Sequence, residues 1–433
     1  MTFEVRSFKY GLSCFFVLAG LAGVTTGFGQ GMGNSPYSIL GLGDLQGTAF
    51  SINEATGGAG VAATYGMQVS GLNPALAVRN RFTAFEFAGS AQFKDTRAPG
   101  AHQKTLAANI SHLVLSFPIK HYWTSAVSIK PYSYVDYNTA ARNIVAGTNY
   151  PSVYSFYGKG ALNRVAWTNG FAIGKYINVG VDIVYLFGNI QKSSELSLIT
   201  GSPSDNTAGI REQLNLKNIT GRGGLAVRLP LKKDKMFLNL GGTYTYGNSL
   251  HARRTTFYEL TQNSFPVPGH ATDTLLNNKK GSVQMPSQFR VGASFEMPFN
   301  LLLSADYEYS DWAAFRPFGN PESRQVASTG RFYVGADYIP KARSQRYFDL
   351  ISYRAGFNFG PSYYAPGGSQ INETAITAGL GLPVGRDGAS TLSLAFTGGE
   401  RGTISANSIR ERYLRMTVAW AFGDRWFQKP RLD

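Results

Sequence analysis

Asp306 and Glu308 stand two residues apart in Leu301–Tyr309, where Leu301, Leu303, Ala305, Tyr307 and Tyr309 alternate with Leu302, Ser304, Asp306 and Glu308. Two carboxylates on one side of a strand suit general acid–base work, and suit equally well a pairing with an arginine across a sheet. Arg290, Glu296, Arg331, Asp337 and Arg354 occupy neighbouring alternating stretches, which favours the ion pair. Other chemistry is sparse. No two of His102, His112, His121, His251 and His270 have metal-ligand spacing, so no metal site is expected. His112 with Ser111 or Ser116 supplies two members of a Ser–His–acid relay, but the sequence sets no carboxylate beside them. Gly57-Gly58-x-Gly60 has the look of a phosphate loop, yet no buried strand precedes it and no Lys-Ser or Lys-Thr follows. The single cysteine, Cys14, falls in an N-terminal leader, which removes disulfides, thiolate metal sites and cysteine nucleophiles together. Neither an enzyme nor a cofactor is expected.

The charged residues lie in strands of one repeated kind. In Tyr413–Phe422, Met416, Val418, Trp420 and Phe422 alternate with Thr417, Ala419 and Ala421. Period two gives one large apolar face and one small or polar face. Phe289, Val291, Ala293 and Phe295 oppose Arg290, Ser294 and Glu296. Phe332, Val334, Ala336 and Tyr338 oppose Arg331 and Asp337. Tyr353, Ala355, Phe357 and Phe359 oppose Arg354 and Asn358. If the apolar faces meet lipid, a charge among them near mid-membrane would cost roughly 2–4 kcal/mol, so the charges must face a lumen. They form either a self-paired brace or the polar lining of a solute path.

Bulk composition agrees with a membrane barrel. Fifty glycines and 13% aromatics accompany only 15% charged residues, and no apolar run after residue 30 is long enough for a spanning helix. The net charge of +15 is scattered through turns and loops, which fits anionic lipid headgroups and lipopolysaccharide and argues against a nucleic-acid partner.

In chain order, residues 1–29 read as an export signal: Arg6 and Lys9, an apolar run Gly11–Val24, and Gly27-Phe28-Gly29 before Gln30. Residues 30–82, rich in Gly, Ser, Asn and Ala, suit tight packing in a confined space. Asn73-Pro74 marks a turn there. Fourteen strands follow, at 83–94, 104–118, 122–137, 153–174, 177–194, 210–230, 235–255, 282–297, 299–311, 325–340, 349–360, 371–384, 389–399 and 408–422. Short turns (Pro118–Trp123, Gly174–Asn178, Leu231–Lys235, Met297–Asn300 and Pro383–Ala389, with an intermediate one at Pro340–Phe348) alternate with longer links at 95–103, 138–152, 195–209, 256–281, 312–324, 361–370 and 400–407. Short periplasmic turns and longer outer loops are the habit of outer-membrane barrels. Residues 423–433 form a basic periplasmic tail.

A Gly/Ala-rich segment ending in Asn73-Pro74-Ala75 and followed by about fourteen strands resembles the FadL-type outer-membrane channels for long-chain fatty acids and aromatic hydrocarbons. Met285-Pro286-Ser287-Gln288-Phe289-Arg290-Val291-Gly292, Ala305-Asp306-Tyr307 and Trp312 are similar to that family's later strands. Ser35-Pro36-Tyr37-Ser38 and Asp424-Arg425-Trp426-Phe427 resemble a Bacteroidota branch. The resemblance implies an all-β, 14-stranded antiparallel transmembrane barrel with residues 30–82 folded inside as a hatch. It also implies passive uptake of a hydrophobic ligand through an apolar pocket between hatch and wall. For the Bacteroidota branch it implies, alternatively, a partner in type IX secretion or outer-membrane protein assembly. Pro131, inside the third strand, marks either a gap in the wall or a harmless rim position.

Overall fold

Alternating β-branched and aromatic residues favour a pleated chain with one face buried, and repetition of that pattern builds a sheet. The computed structural model describes residues 31–63, 69–202, 205–232, 235–262, 265–266, 272–319, 325–384, 390–405 and 408–424. The leader with Cys14, His270 and the tail beyond Asp424 lie outside the described residues.

The wall comprises β1 (Thr83–Ala98), β2 (Ala101–Lys120), β3 (Trp123–Ile144), β4 (Pro151–Ile173), β5 (Ile177–Leu198), β6 (Asn206–Pro230), β7 (Phe237–Thr245 and Ser249–Gln262), β8 (Thr272–Gln284 and Gln288–Met297), β9 (Leu301–Ser310), β10 (Thr329–Tyr338), β11 (Ser352–Pro361), β12 (Asn372–Val384), β13 (Ser390–Arg401) and β14 (Arg410–Asp424). Each runs antiparallel to the next. β14 returns to β1 with Arg410 opposite Arg97 and Asp424 opposite Thr83, closing a 14-stranded barrel. Both pieces of β7 pair with β6 and with the matching pieces of β8. Pro286, which has no N–H to donate, sits in the break of β8.

Several links are shorter than the sequence pattern indicates. β3 runs on to Ile144, β5 to Leu198 and β7 to Gln262, and residues 99–100 alone join β1 to β2. In the β3 extension most side chains on both faces are exposed, and in those of β5 and β7 most are exposed or half-buried on both faces, so no buried row marks the strand.

The outer surface is an apolar belt. Phe87, Val127, Ile129, Trp167, Ile183, Leu240, Val291, Phe332, Val334 and Met416 are all exposed. A patch of this extent is a lipid or partner surface. No helix among the described residues is long and apolar enough to cross a membrane.

Residues 31–63 and 69–82 lie against the inward faces of the wall. Where their backbone touches the strands, the strands carry glycine. A Cβ at Gly356 would collide with Thr56 and Gly57, and one at Gly180 with Pro74 and Ala75. Tyr37, Leu40 and Leu42 share an apolar core with Val184, Leu186, Leu250, Met285, Trp312 and Tyr364. Val184 and Leu186 continue the inward row of β5 beyond Asp182, toward the long-loop end. Toward the long loops this apolar core adjoins a buried charge cluster, Asp44, Lys94, Glu373, Arg401 and Glu411, with Arg401 against the ring of Tyr364.

Candidate functional site

The charged interior is a set of clamps between wall and N-terminal segment. Arg290 and Asp306 lie on the inner faces of β8 and β9 and are almost fully buried, with Arg290 Nη2 2.8 Å from Asp306 Oδ2. Arg290 also holds Glu308 at 3.3 Å and donates to the carbonyl of Gly58. Asp306 Oδ2 accepts from the backbone N–H groups of Gly60 and Val61 at 2.8 and 2.9 Å. Gly57, Gly58 and Gly60 have φ of 71°, 83° and 126°, the left-handed region that only glycine adopts freely. The glycine-rich loop is thus an anion nest, and its anion is the protein's own Asp306.

Asn73 does similar work on the other side. Its side chain accepts from Ala75 N–H at 3.0 Å, capping the 3-10 turn Pro74–Arg79, and donates to the carbonyls of Val61 (2.8 Å) and Leu225 (3.0 Å). Arg222 binds Asp182 and donates to the carbonyls of Leu72 (3.1 Å) and Gly71 (2.8 Å). Asp44 meets Arg401 at 3.0 Å and Lys94 at 3.9 Å. Burial alone would raise the Asp44 carboxyl, but Arg401 and Lys94 hold it below its ordinary value. Glu54 meets Lys130 at 3.2 Å and accepts from Thr417 at 2.9 Å. Burial opposes its ionisation, yet Lys130, His112 and Arg415 keep its carboxyl at about 2.

Each of the other predicted lumenal charges has a partner. Arg331 binds Glu373 (2.9 Å) and Asn358 (2.8 Å), Arg354 binds Asp337 (3.0 Å), and Glu296 binds Arg228 (2.7 Å) and Asn239 (2.8 Å).

A Ser–His–carboxylate chain is present, and the sequence missed its acid. His112 Nε2 is 2.9 Å from Glu86 Oε1, and Ser111 Oγ is 3.1 Å from Nδ1. A bulge at Ser111, opposite Ala88 and Gly89, turns both side chains to one side. His112 is wholly buried, Phe50 stacks on its ring at 4.7 Å, and Ser51 donates to Glu86 at 2.5 Å. The cluster fastens the helix Ser51–Ala55 to the wall. Glu86, twenty-six residues away in sequence, becomes a neighbour only through strand pairing.

At Pro131 the wall is incomplete. The β2–β3 ladder runs from Lys120 opposite Trp123 to Leu113 opposite Ile129 and stops there. On its other side β3 stays paired with β4 as far as Ile144, with Tyr132 as an extra residue after Pro131. The N-terminal segment occupies the free edge of β3. Asp44 and Leu45 pair with Tyr134 and Ser133, Gln46 N–H donates to Tyr132 O (3.0 Å), and Ser35 N–H donates to Asp136 O (2.8 Å). Gly31 accepts from Asn109 of β2, so this segment bridges the seam.

A cavity of about 310 Å³ remains between segment and wall. Arg164, Arg331, Arg401, Arg415, Glu54 and Glu373 line it together with Val184, Leu186, Met285 and Trp312. It is amphipathic, with charged and apolar side chains sharing its wall. No group of three or more His, Cys, Asp or Glu side chains among the described residues is placed to hold a metal ion.

Several solved structures share this architecture. A CymD monoaromatic hydrocarbon channel matches with a TM-score of 0.57 at 12% identity, over 89% of this chain and 99% of its own. The Ralstonia pickettii toluene transporter TbuX matches with a TM-score of 0.54 at 15% identity, over 87% and 98%. A Pseudomonas aeruginosa FadL homologue matches with a TM-score of 0.57 at 12% identity, over 88% and 99%. At such identity the likeness establishes the fold alone. No curated protein matches by sequence. The BamG family model matches residues 13–433, and the chain belongs to the BamG family.

Proposed function

We propose that this chain is an outer-membrane barrel that works as a structural partner in a complex assembling outer-membrane proteins, and that residues 30–82 are a fixed hatch. The observation that carries the reading is the anchoring of the segment. Asp306, Arg290, Arg222, Asn73, Arg401 and Lys130 tie it to strands around the barrel, through groups that are buried or nearly so. Moving such a hatch would separate Asp44 from Arg401 and Lys94 and Glu54 from Lys130, and each charge left buried without its partner costs about 3–5 kcal/mol. An apolar solute passing through the lumen would also leave those charges without water or partner. The closed barrel with its apolar belt supports an outer-membrane location, where the lipid partners would be phospholipid and lipopolysaccharide.

Depletion of the protein from cells tests this reading. Other barrel proteins should then fall in abundance in the outer membrane while uptake of toluene and long-chain fatty acids is unchanged. The reverse pattern would overturn it.

A second reading, passage of hydrophobic molecules, is favoured by one observation, the end of the β2–β3 ladder at Ile129. An apolar molecule would leave sideways there after displacement of residues 31–46.

A further inference from the structure

At the short-turn end, one turn departs from the rest. Residues 298–300 and 339–351 connect β8 to β9 and β10 to β11, and the two turns are tied together. Ile339 N–H donates to Asn300 O at 2.7 Å, and Asn300 Nδ2 donates to Ile339 O at 3.0 Å. The larger turn is built rather than slack. Lys341 N–H donates to Asp349 O (2.9 Å), Ser344 Oγ to Asp349 Oδ2 (2.7 Å) and Arg346 N–H to Ser344 Oγ (3.1 Å), while Tyr347 and Phe348 open a helical turn, Tyr347–Leu350. Tyr347 OH donates to Pro383 O at 3.2 Å and Tyr353 OH to Phe348 O at 3.2 Å, locking the turn to the wall.

This rigid platform holds apolar side chains in the open. Phe348 is 74% exposed and Phe299 76%, with Tyr347 at 48%. Phe299 also has φ of 63°, a left-handed conformation that is costly for a bulky residue. Lys341, Arg343 and Arg346 are exposed beside them, and none lies within ion-pair distance of a carboxylate among the described residues. Asp349 is engaged by Ser344.

We propose that Phe299, Tyr347 and Phe348, ringed by Lys341, Arg343 and Arg346, form a preorganised docking knob for a protein whose surface offers an apolar recess with an acidic rim. Exposed aromatics with arginine are the composition of interface anchors, and fixing them beforehand removes the entropy cost of ordering on binding. Headgroup anchoring needs no such platform; single aromatics at turn tips, such as Tyr122 and Tyr176, suffice for it. The inference rests on the partner reading above and names the face that the partner meets.

The test places a photo-crosslinking amino acid at position 348 of the full-length protein in cells. In parallel, gentle detergent extracts are compared for wild type, the Phe299→Ala/Phe348→Ala pair and the Arg343→Glu/Arg346→Glu pair. One protein should crosslink through an acidic segment. The same protein should fall about tenfold or more in both variant extracts, with barrel abundance and heat-unfolding midpoint unchanged. Crosslinks to lipid alone, or full retention of the complex by both variants, would overturn the knob while leaving the partner reading intact. A wild-type barrel extracted with no companion would overturn the partner reading itself.

Discussion

Arg290 and Asp306 grip the same glycine loop from opposite signs: the guanidinium donates to the carbonyl of Gly58, and the carboxylate accepts from the N–H groups of Gly60 and Val61. The pair is therefore both a brace across two strands and the socket of the N-terminal segment.

Removing one member should cost more than removing both. Asp306→Ala leaves Arg290 buried with Glu308 alone, and is expected to destabilise the barrel by about 3–5 kcal/mol. Arg290→Met with Asp306→Leu should recover much of that loss. Heat unfolding in detergent, followed by loss of β-sheet circular dichroism, measures both.

The close approach of hatch and wall makes a second prediction. A side chain at Gly356 meets the backbone of Thr56 and Gly57, whereas one at Gly398 meets open space. Gly356→Val should weaken hatch docking by about 1–3 kcal/mol and expose residues 50–63 to limited proteolysis. Gly398→Ala should leave the digestion pattern unchanged.

Acid should loosen the hatch at Glu54. Its carboxyl titrates at about 2 in the folded protein against an ordinary 4.5. Because the folded value is depressed, the stabilisation is fully present above pH 4.5 and is lost as pH falls toward 2. The difference amounts to at most about 3 kcal/mol. Wild type should lose stability across that window more steeply than Glu54→Gln, as read from unfolding midpoints against pH.

The open seam should be visible in amide exchange. From Ala101 to Ile110, β2 is paired with β1 but has no strand ladder to β3. Peptides covering 102–110 should exchange faster than peptides covering 160–170 of β4, which has strand partners on both sides. Equal protection would mean that the seam is closed.

Period-two alternation made the fourteen strands legible, because each strand of the apolar belt must turn large side chains outward. The splits in β7 and β8 fall at Gly247-Asn248 and Pro286-Ser287, breakers that the sequence carries but that period two alone does not separate from a strand passing through them. The strand extensions were not legible, because burial there does not alternate cleanly between the two faces. Among the lumenal charges, sequence located Arg290, Asp306 and Arg331 on inner faces through their apolar neighbours. The acids of the N-terminal segment, Asp44 and Glu54, lie where there is no periodicity and could be matched to Arg401 and Lys130 only in three dimensions. Glu86 beside His112 was hidden for the same reason.

The most direct test of the central claim, a hatch-locked barrel that acts through association, is the native mass of the protein extracted gently from outer membranes at its natural level. The account predicts an assembly heavier than the 47.0 kDa chain, containing a second outer-membrane protein and no apolar small molecule in the lumen. A lone barrel carrying a bound hydrophobic ligand would contradict it.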